Sequence, residues 1–566
     1  MRSRSTSAIR SGSCGARPGE VSGARSGRST PLSYTVVRTP CRRRSRETDV
    51  PGQTSVATDF RLTDILADPG RAHLPAVTVD GAETTYGELD RRAGLAGAAL
   101  RDLGLGVGDR VVWIGKNRPE FLELLLGAPR IGAVSVPLNT RLTESDLHAL
   151  VADADAGLVV LGPEFAGLRA DLGGRRVLVV GEDYADWRDA PDAPLPPSVP
   201  EGTTVDDPVL QLYTSGTTGL PKGVLLAHRQ FSALLLAAEH WSIDTTSTAL
   251  VAMPLFHIGG VGYALVCLAA GSRLVLVADI VPDALLDTMS GERVTNAFLV
   301  PAVLQMLVAV PGAADRDWSA LRSVAYGASP ITAGALRKVV ETFRAPLFQV
   351  YGATETTGAI TQLDPGDHDP DGPRAHLMRS AGRAYPWVEL TVVDPATGEQ
   401  LEAGRVGEVR IRSDQVTSGY WRRPEETATA LGDDGRLRTG DAGYLDADGF
   451  LFLTDRIKDM IVTGAENVYP IEVENVLSEH PDIADVAVIG VPDERWGEAV
   501  KAVVVPRDGA TIDPDALLDW MRPLIAGYKR PRSVDVVEAL PRNPSGKILK
   551  RELRAPYWAG VGRTIG

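Results

Sequence analysis

The chain has 566 residues, is 44% hydrophobic and carries a formal net charge of −14. That length exceeds what one hydrophobic core ordinarily holds, so at least two domains are expected. The acidic balance excludes a surface built for nucleic acid or an anionic membrane, since both reward clustered cations.

Residues 1–50 differ from the rest: 11 Arg and three acidic residues there leave 48 basic against 70 acidic residues elsewhere. This segment has no apolar run long enough for a signal-peptide core. Residues 1–55 are read as a disordered tail or the product of a start codon placed too far upstream, although the composition also fits an organellar transit peptide. Cys14, Cys41 and Cys267 are widely spaced and odd in number, which points to neither a disulfide framework nor a zinc site. A reducing, cytoplasmic location is expected.

From Phe60 onward, short apolar runs alternate with helical patterns. Ala76 to Tyr86 reads as a hairpin turning at Asp80-Gly81, followed by a helix ending at Gly104. RVVWIG (110–115), AVSVPLN (133–139), GLVVLG (157–162) and RRVLVVG (175–181) read as strands, with a helix over FLELLLGAPRIG between the first two. Strand and helix in alternation imply βαβ units and a largely parallel sheet. The uncharged window Ala249–Ser272 is long enough to prompt a membrane check, but Pro254, Gly259, Gly260 and Gly262 interrupt it. It reads as a buried strand, a loop and the start of a buried helix, so no transmembrane segment is expected. Beyond about Leu390 the texture shifts to short strands of an antiparallel unit. A small α+β module follows, in which Pro470 opens a helix placing Val473, Val476, Leu477 and His480 on one face.

The chemistry centres on Tyr213–Val224, YTSGTTGLPKGV, leaving the apolar strand PVLQLYT. Gly216 and Gly219 allow a tight turn that gathers backbone N–H groups into a phosphate-sized nest. Thr214, Ser215, Thr217 and Thr218 add hydroxyls, and Lys222 adds a mobile charge. The spacing is not that of the common P-loop. The string resembles the signature loop of the adenylate-forming, AMP-binding superfamily, and four further motifs match that family in order from about Phe60 to Arg554.

The resemblance implies a fold and a set of roles. The fold is α/β: a large N-terminal AMP-binding domain (56–457) with mostly parallel sheets and a β-rich subdomain, then a small mobile α+β C-terminal domain (458–566). PLFHIGG resembles the acyl-pocket motif, with His257 beside the substrate carboxylate; a His rather than an Asp there argues against an amino-acid substrate. YGASP (Tyr326 to Pro330) and YGATET (Tyr351 to Thr356) resemble the adenine-binding segments, giving Gly327, Ala328, Ser329, Tyr351, Gly352, Ala353 and Thr354. Glu355 resembles the magnesium-binding glutamate, with Thr214 as a partner. Asp441 and Arg456 match positions that hold the ribose hydroxyls. Lys458 matches the hinge, Gly464 the pantetheine tunnel, and Lys547, in NPSGK, the adenylation lysine.

The reaction so implied uses ATP, Mg2+ and coenzyme A: a carboxylate displaces pyrophosphate from ATP, then a thiol displaces AMP. The acyl pocket is assigned to Phe256, His257, Val261, Gly262, Phe298, Val300, Tyr326 and Gly358, small or apolar positions with no cation. Each buried methylene contributes about 0.8 kcal/mol in such a site, which favours a fatty or other apolar carboxylic acid. Two other readings stay open: transfer of the acyl group to a carrier protein, and a non-catalytic nucleotide- or acyl-binding protein. Retention of Lys222, Lys547 and Glu355 together weighs against the last.

Overall fold

The computed structural model describes residues 59–559 apart from 173, 193, 215–220, 329–330, 332, 371, 433, 457–458, 464–465, 494 and 543–547. The expectations for residues 1–55 and for Ser215, Gly216, Thr217, Thr218, Gly219, Ser329, Lys458, Gly464 and Lys547 therefore lie outside the described residues.

Two large sheets carry the expected βαβ alternation. In one, the order is Gly419–Tyr420, Lys222–Ala227, Pro208–Thr214, Val134–Pro137, Arg110–Ile114, Ala156–Leu161 and Val177–Val179. Its five strands from Pro208–Thr214 to Val177–Val179 pair parallel, and the two at the other edge pair antiparallel. Arg110–Ile114 is buried along its whole length, as a central parallel strand covered on both faces must be. The second sheet has nine strands, with a parallel centre running from Leu347–Ala353 to Pro75–Val79 and antiparallel strands at both edges. Helices between the strands begin where the sequence signals them. Pro119 and Pro301 each open a helix at N1, where their missing N–H costs nothing.

A buried asparagine ties the two sheets together. Asn117 follows the strand Arg110–Ile114; its Nδ2 donates to the carbonyls of Met253 (3.1 Å) and Val277 (3.0 Å), and its Oδ1 accepts from Leu255 N (2.9 Å). The uncharged window is a strand (Thr248–Val251), a loop and a helix (Ile258–Ala269), as expected. No helix among the described residues is long and apolar enough to cross a membrane.

The β-rich unit is a four-stranded antiparallel sheet of Glu389–Val393, Gly407–Arg412, Leu437–Leu445 and Leu451–Arg456. The C-terminal module is a separate α+β domain with a five-stranded sheet around Ile483–Asp493 and Gly497–Pro506 and its own apolar clusters. One detail departs from the sequence reading. The helix opened by Pro470 ends at Ser478, so His480 lies beyond it and not on its face. Pro481 disfavours helical backbone at the residue before it, and the His480 ring instead packs edge-on against Trp520, 4.8 Å between centroids.

His228 links the start of the described chain to the core. Its Nδ1 accepts from Leu62 N at 2.8 Å, and burial, aided by the charge of Arg61, pushes its pKa down to about 4. The unfolded chain therefore binds a proton that the native chain does not between pH 6.5 and 4. Stability should fall as pH drops through that window, by up to about 3 kcal/mol from this group. His228→Asn keeps an acceptor for Leu62 N and should flatten the profile of urea midpoint against pH between 6.5 and 4. An unchanged slope would show that His228 does not carry the effect.

Candidate active site

Thr214 and the YGASP and YGATET motifs lie at the ends of strands that pair parallel, where open α/β sheets hold ligands. Thr214 ends its strand directly opposite Lys222, the two forming the last pair of the ladder between Pro208–Thr214 and Lys222–Ala227. The strand Ser323–Gly327 ends at the first adenine motif. Ala328, just beyond it, is exposed and has φ +66°, a left-handed conformation unfavourable for a residue with a Cβ. The second adenine motif closes the strand Leu347–Ala353. There Tyr351, Gly352, Ala353, Thr354 and Glu355 are all half-buried, a partly open run within a buried sheet.

Asp441 and Arg456 face each other across the antiparallel pair Leu437–Leu445 and Leu451–Arg456. The Tyr351 hydroxyl donates to Asp441 Oδ2 at 2.6 Å. This bond brings the YGATET segment and the Asp441 segment, expected to hold adenine and ribose, side by side. A short, charge-assisted bond of this kind fixes the tyrosine ring as well as the carboxylate.

On the acyl side, His257 precedes the helix Ile258–Ala269, and its ring stands edge-on to Phe256 at 4.7 Å. Its Nε2 has no hydrogen-bond partner among the described residues, and burial together with Arg141 lowers its pKa to about 4. The ring is thus neutral at pH 7. Gly259 lets Phe298 approach the helix; a Cβ there would lie 2.9 Å from Phe298 Cε1. Gly262 and Gly358 both face Leu234 and Ile258, and Val300 is half-buried. Val261 and Phe256 are buried. Tyr326 is fully buried, with its hydroxyl 3.0 Å from His368 Nε2, so its polar end is already occupied.

One part of the site was not anticipated. Residues 415–421 run across both phosphate-side elements. The buried Gln415 donates from Nε2 to the carbonyls of Thr356 (3.1 Å) and Ala359 (3.0 Å), and its carbonyl accepts from the Thr357 hydroxyl (2.6 Å). Thr417 N donates to the Glu355 carbonyl at 2.8 Å. Tyr420 then touches two expected catalytic groups. Its hydroxyl donates to Glu355 Oε1 at 3.0 Å, and Lys222 Nζ lies 5.2 Å from its ring centroid.

Glu355 and Thr214 offer one carboxylate and one hydroxyl, oxygen donors of the kind magnesium takes while keeping most of its waters. Among the described residues no cluster of three His, Cys, Asp or Glu side chains offers a closed metal cage.

Comparison with known proteins gives a consistent picture. The model of the AMP-binding enzyme family matches residues 68–421, and that of the AMP-binding enzyme C-terminal domain matches residues 472–547. The fatty acid–[acyl-carrier-protein] ligase ScoC of Streptomyces coeruleorubidus is 40% identical over 501 residues, spanning 87% of this chain and 95% of that protein. A feruloyl-CoA synthase of Amycolatopsis sp is 40% identical over 492 residues, 86% of this chain and 96% of its own. The crystal structure of ATP-bound MatB from Rhodopseudomonas palustris superposes with a TM-score of 0.79 at 32% identity, covering 89% of this chain and 99% of that one.

Proposed function

The chain belongs to the AMP-binding enzyme family, and on that footing we propose that it is a carboxylate–CoA ligase acting on an apolar acid through an acyl-adenylate. A carboxylate oxygen attacks the α-phosphorus of ATP, forming a C–O–P link and releasing pyrophosphate. The thiolate of coenzyme A then attacks the acyl carbonyl and releases AMP. The observation that carries this reading is the convergence of Lys222 and Glu355 on Tyr420, with apolar packing around Gly259, Phe298 and Gly358 on the expected acyl side.

Both reactants of the first step are anions, so the barrier is repulsion and alignment, and no covalent nucleophile is needed. In this proposal Lys222 and Lys547 draw the phosphates and the carboxylate together, with the donors of residues 214–219 around them. Tyr351 offers its ring to the adenine, and Asp441 and Arg456 take the ribose hydroxyls. Magnesium, held by Glu355 and Thr214, would supply charge neutralisation on the phosphate oxygens. The neutral His257 presents no charge to the carboxylate, and Phe298, Leu234 and Ile258 beside the glycines offer apolar contact to an acyl group. Lys458 serves as the hinge that withdraws Lys547 before the thiol enters past Gly464, with domain limits of 56–457 and 458–566.

A carrier-protein thiol is a second candidate acceptor, favoured by the 40% identity to an acyl-carrier-protein ligase over nearly all of that protein. The deciding measurement is pyrophosphate release with Mg-ATP across C4 to C18 fatty acids, benzoates and a steroid acid, each with and without coenzyme A. Acid-dependent release with an acyl-CoA product is expected. Release without thioester would move the acceptor to a carrier protein, and no release with any acid would count against the ligase reading.

A further inference from the structure

We propose that Tyr420 is a positioning residue that holds Lys222 and Glu355 in place for the metal–nucleotide, an inference that rests on the ligase reading. The backbone around it is secured on every side. Gly419 and Tyr420 pair antiparallel with Leu225 and Val224, Trp421 N donates to the Gly223 carbonyl at 2.7 Å, and Tyr420 N donates to Thr427 Oγ1 at 2.9 Å. Trp421 is anchored in turn: its Nε1 donates to the Asp153 carbonyl at 2.9 Å, and Arg110 lies 3.3 Å over its ring. The tyrosine ring therefore has little freedom to drift.

Two groups of opposite charge meet this one side chain through different features. The hydroxyl donates to one oxygen of Glu355, fixing the carboxylate and leaving the other oxygen to face a cation. The ring lies within cation–π distance of the Lys222 ammonium. A lysine and a glutamate beside a phosphate site would otherwise gain by pairing with each other, which would cancel the charges that nucleotide and metal need. Tyr420 gives each its own partner, and neither partner is an ion. Lys222 stays available to phosphate, and Glu355 stays available to the metal.

The test is binding of Mn2+–ATP to the full chain, read as loss of the free Mn2+ signal in electron paramagnetic resonance. Tyr420→Phe keeps the ring and removes only the hydroxyl. It should weaken Mn2+–ATP binding roughly tenfold, the effect of one hydrogen bond to a charged group, with an unchanged melting temperature. In a Glu355→Ala background the same change should cost nothing further, because the hydroxyl acts through Glu355. A merely structural tyrosine would lower the melting temperature and cost the same in both backgrounds, and that result would overturn the proposal. Wild-type binding retained by Tyr420→Phe would overturn it too, while leaving the ligase reading intact. A wild-type chain that bound no Mn2+–ATP would instead remove the ligase reading, and this inference with it.

Discussion

Replacing Lys547 with alanine is expected to abolish acid-dependent pyrophosphate release, by roughly 100- to 1000-fold, while leaving thioester formation from a supplied acyl-adenylate within a few-fold of normal. The asymmetry follows from charge. Adenylate formation brings a carboxylate onto a triphosphate, and a preorganised ammonium at that point offsets repulsion that grows toward the transition state. In the second step the phosphate is already esterified and the attacking group is sulfur, so the same ammonium has little to stabilise. Lys547 lies outside the described residues, and the described residues on either side of its segment belong to the C-terminal module. Arg542 and Ile548 pair antiparallel around it, the Arg542 guanidinium bonds Asp485 at 2.6 Å, and Ile548 packs against the C-terminal core. Lys547, covalently joined to Ile548, travels with that domain. Equal loss in both half-reactions would show that it serves something common to both, such as domain stability, and the role assigned to it here would be wrong.

The parts of this molecule legible in the sequence are those where local pattern and chemistry coincide. PVLQLYT is the strand Pro208–Thr214 to the residue, because an apolar run bounded by turn-formers has few other ways to bury itself. Asp441 pairs with Arg456 across two strand-like stretches that the turn-forming Ala447-Asp448-Gly449 joins, a pattern visible in the residues themselves. What stayed hidden depends on how distant elements are ordered in space. Tyr420 lies 65 positions from Glu355, and it reaches it only because Gly419–Tyr420 adds to the edge of Lys222–Ala227. No periodicity in GYWRRP announces an edge strand two residues long. The stretch from Phe231 to Trp241, after the phosphate loop, carries apolar residues at helical spacing. It is two short helices, His228–Leu234 and Ala237–His240, whose break at Leu235 and Leu236 is not marked by Gly or Pro.

Gly352→Ala is expected to damage both the sheet and the candidate site. Its cost comes from space and not from φ. Gly352 pairs with Ala359 where the register between Leu347–Ala353 and Gly358–Leu363 shifts, and a Cβ there would overlap the carbonyl oxygen of Gly358, with the Ala359 Cα only 3.0 Å away. These are backbone atoms, so no rotamer change relieves the overlap; the two strands must separate. Forced overpacking against backbone costs about 3 kcal/mol. The strain falls between Tyr351, whose hydroxyl holds Asp441, and Glu355, whose carboxylate is held by Tyr420, so nucleotide affinity should drop even in molecules that remain folded. Gly366→Ala supplies the control. That glycine is exposed, its Cβ would meet nothing within 4 Å, and the change should stay within about 0.5 kcal/mol of wild type. Urea midpoints for the two variants, with ATP binding measured on the folded protein, separate the alternatives. If Gly352→Ala matched Gly366→Ala in both, the close approach at this bulge would not be what shapes the nucleotide site. A loss of stability with normal ATP affinity would confine the role of Gly352 to the sheet.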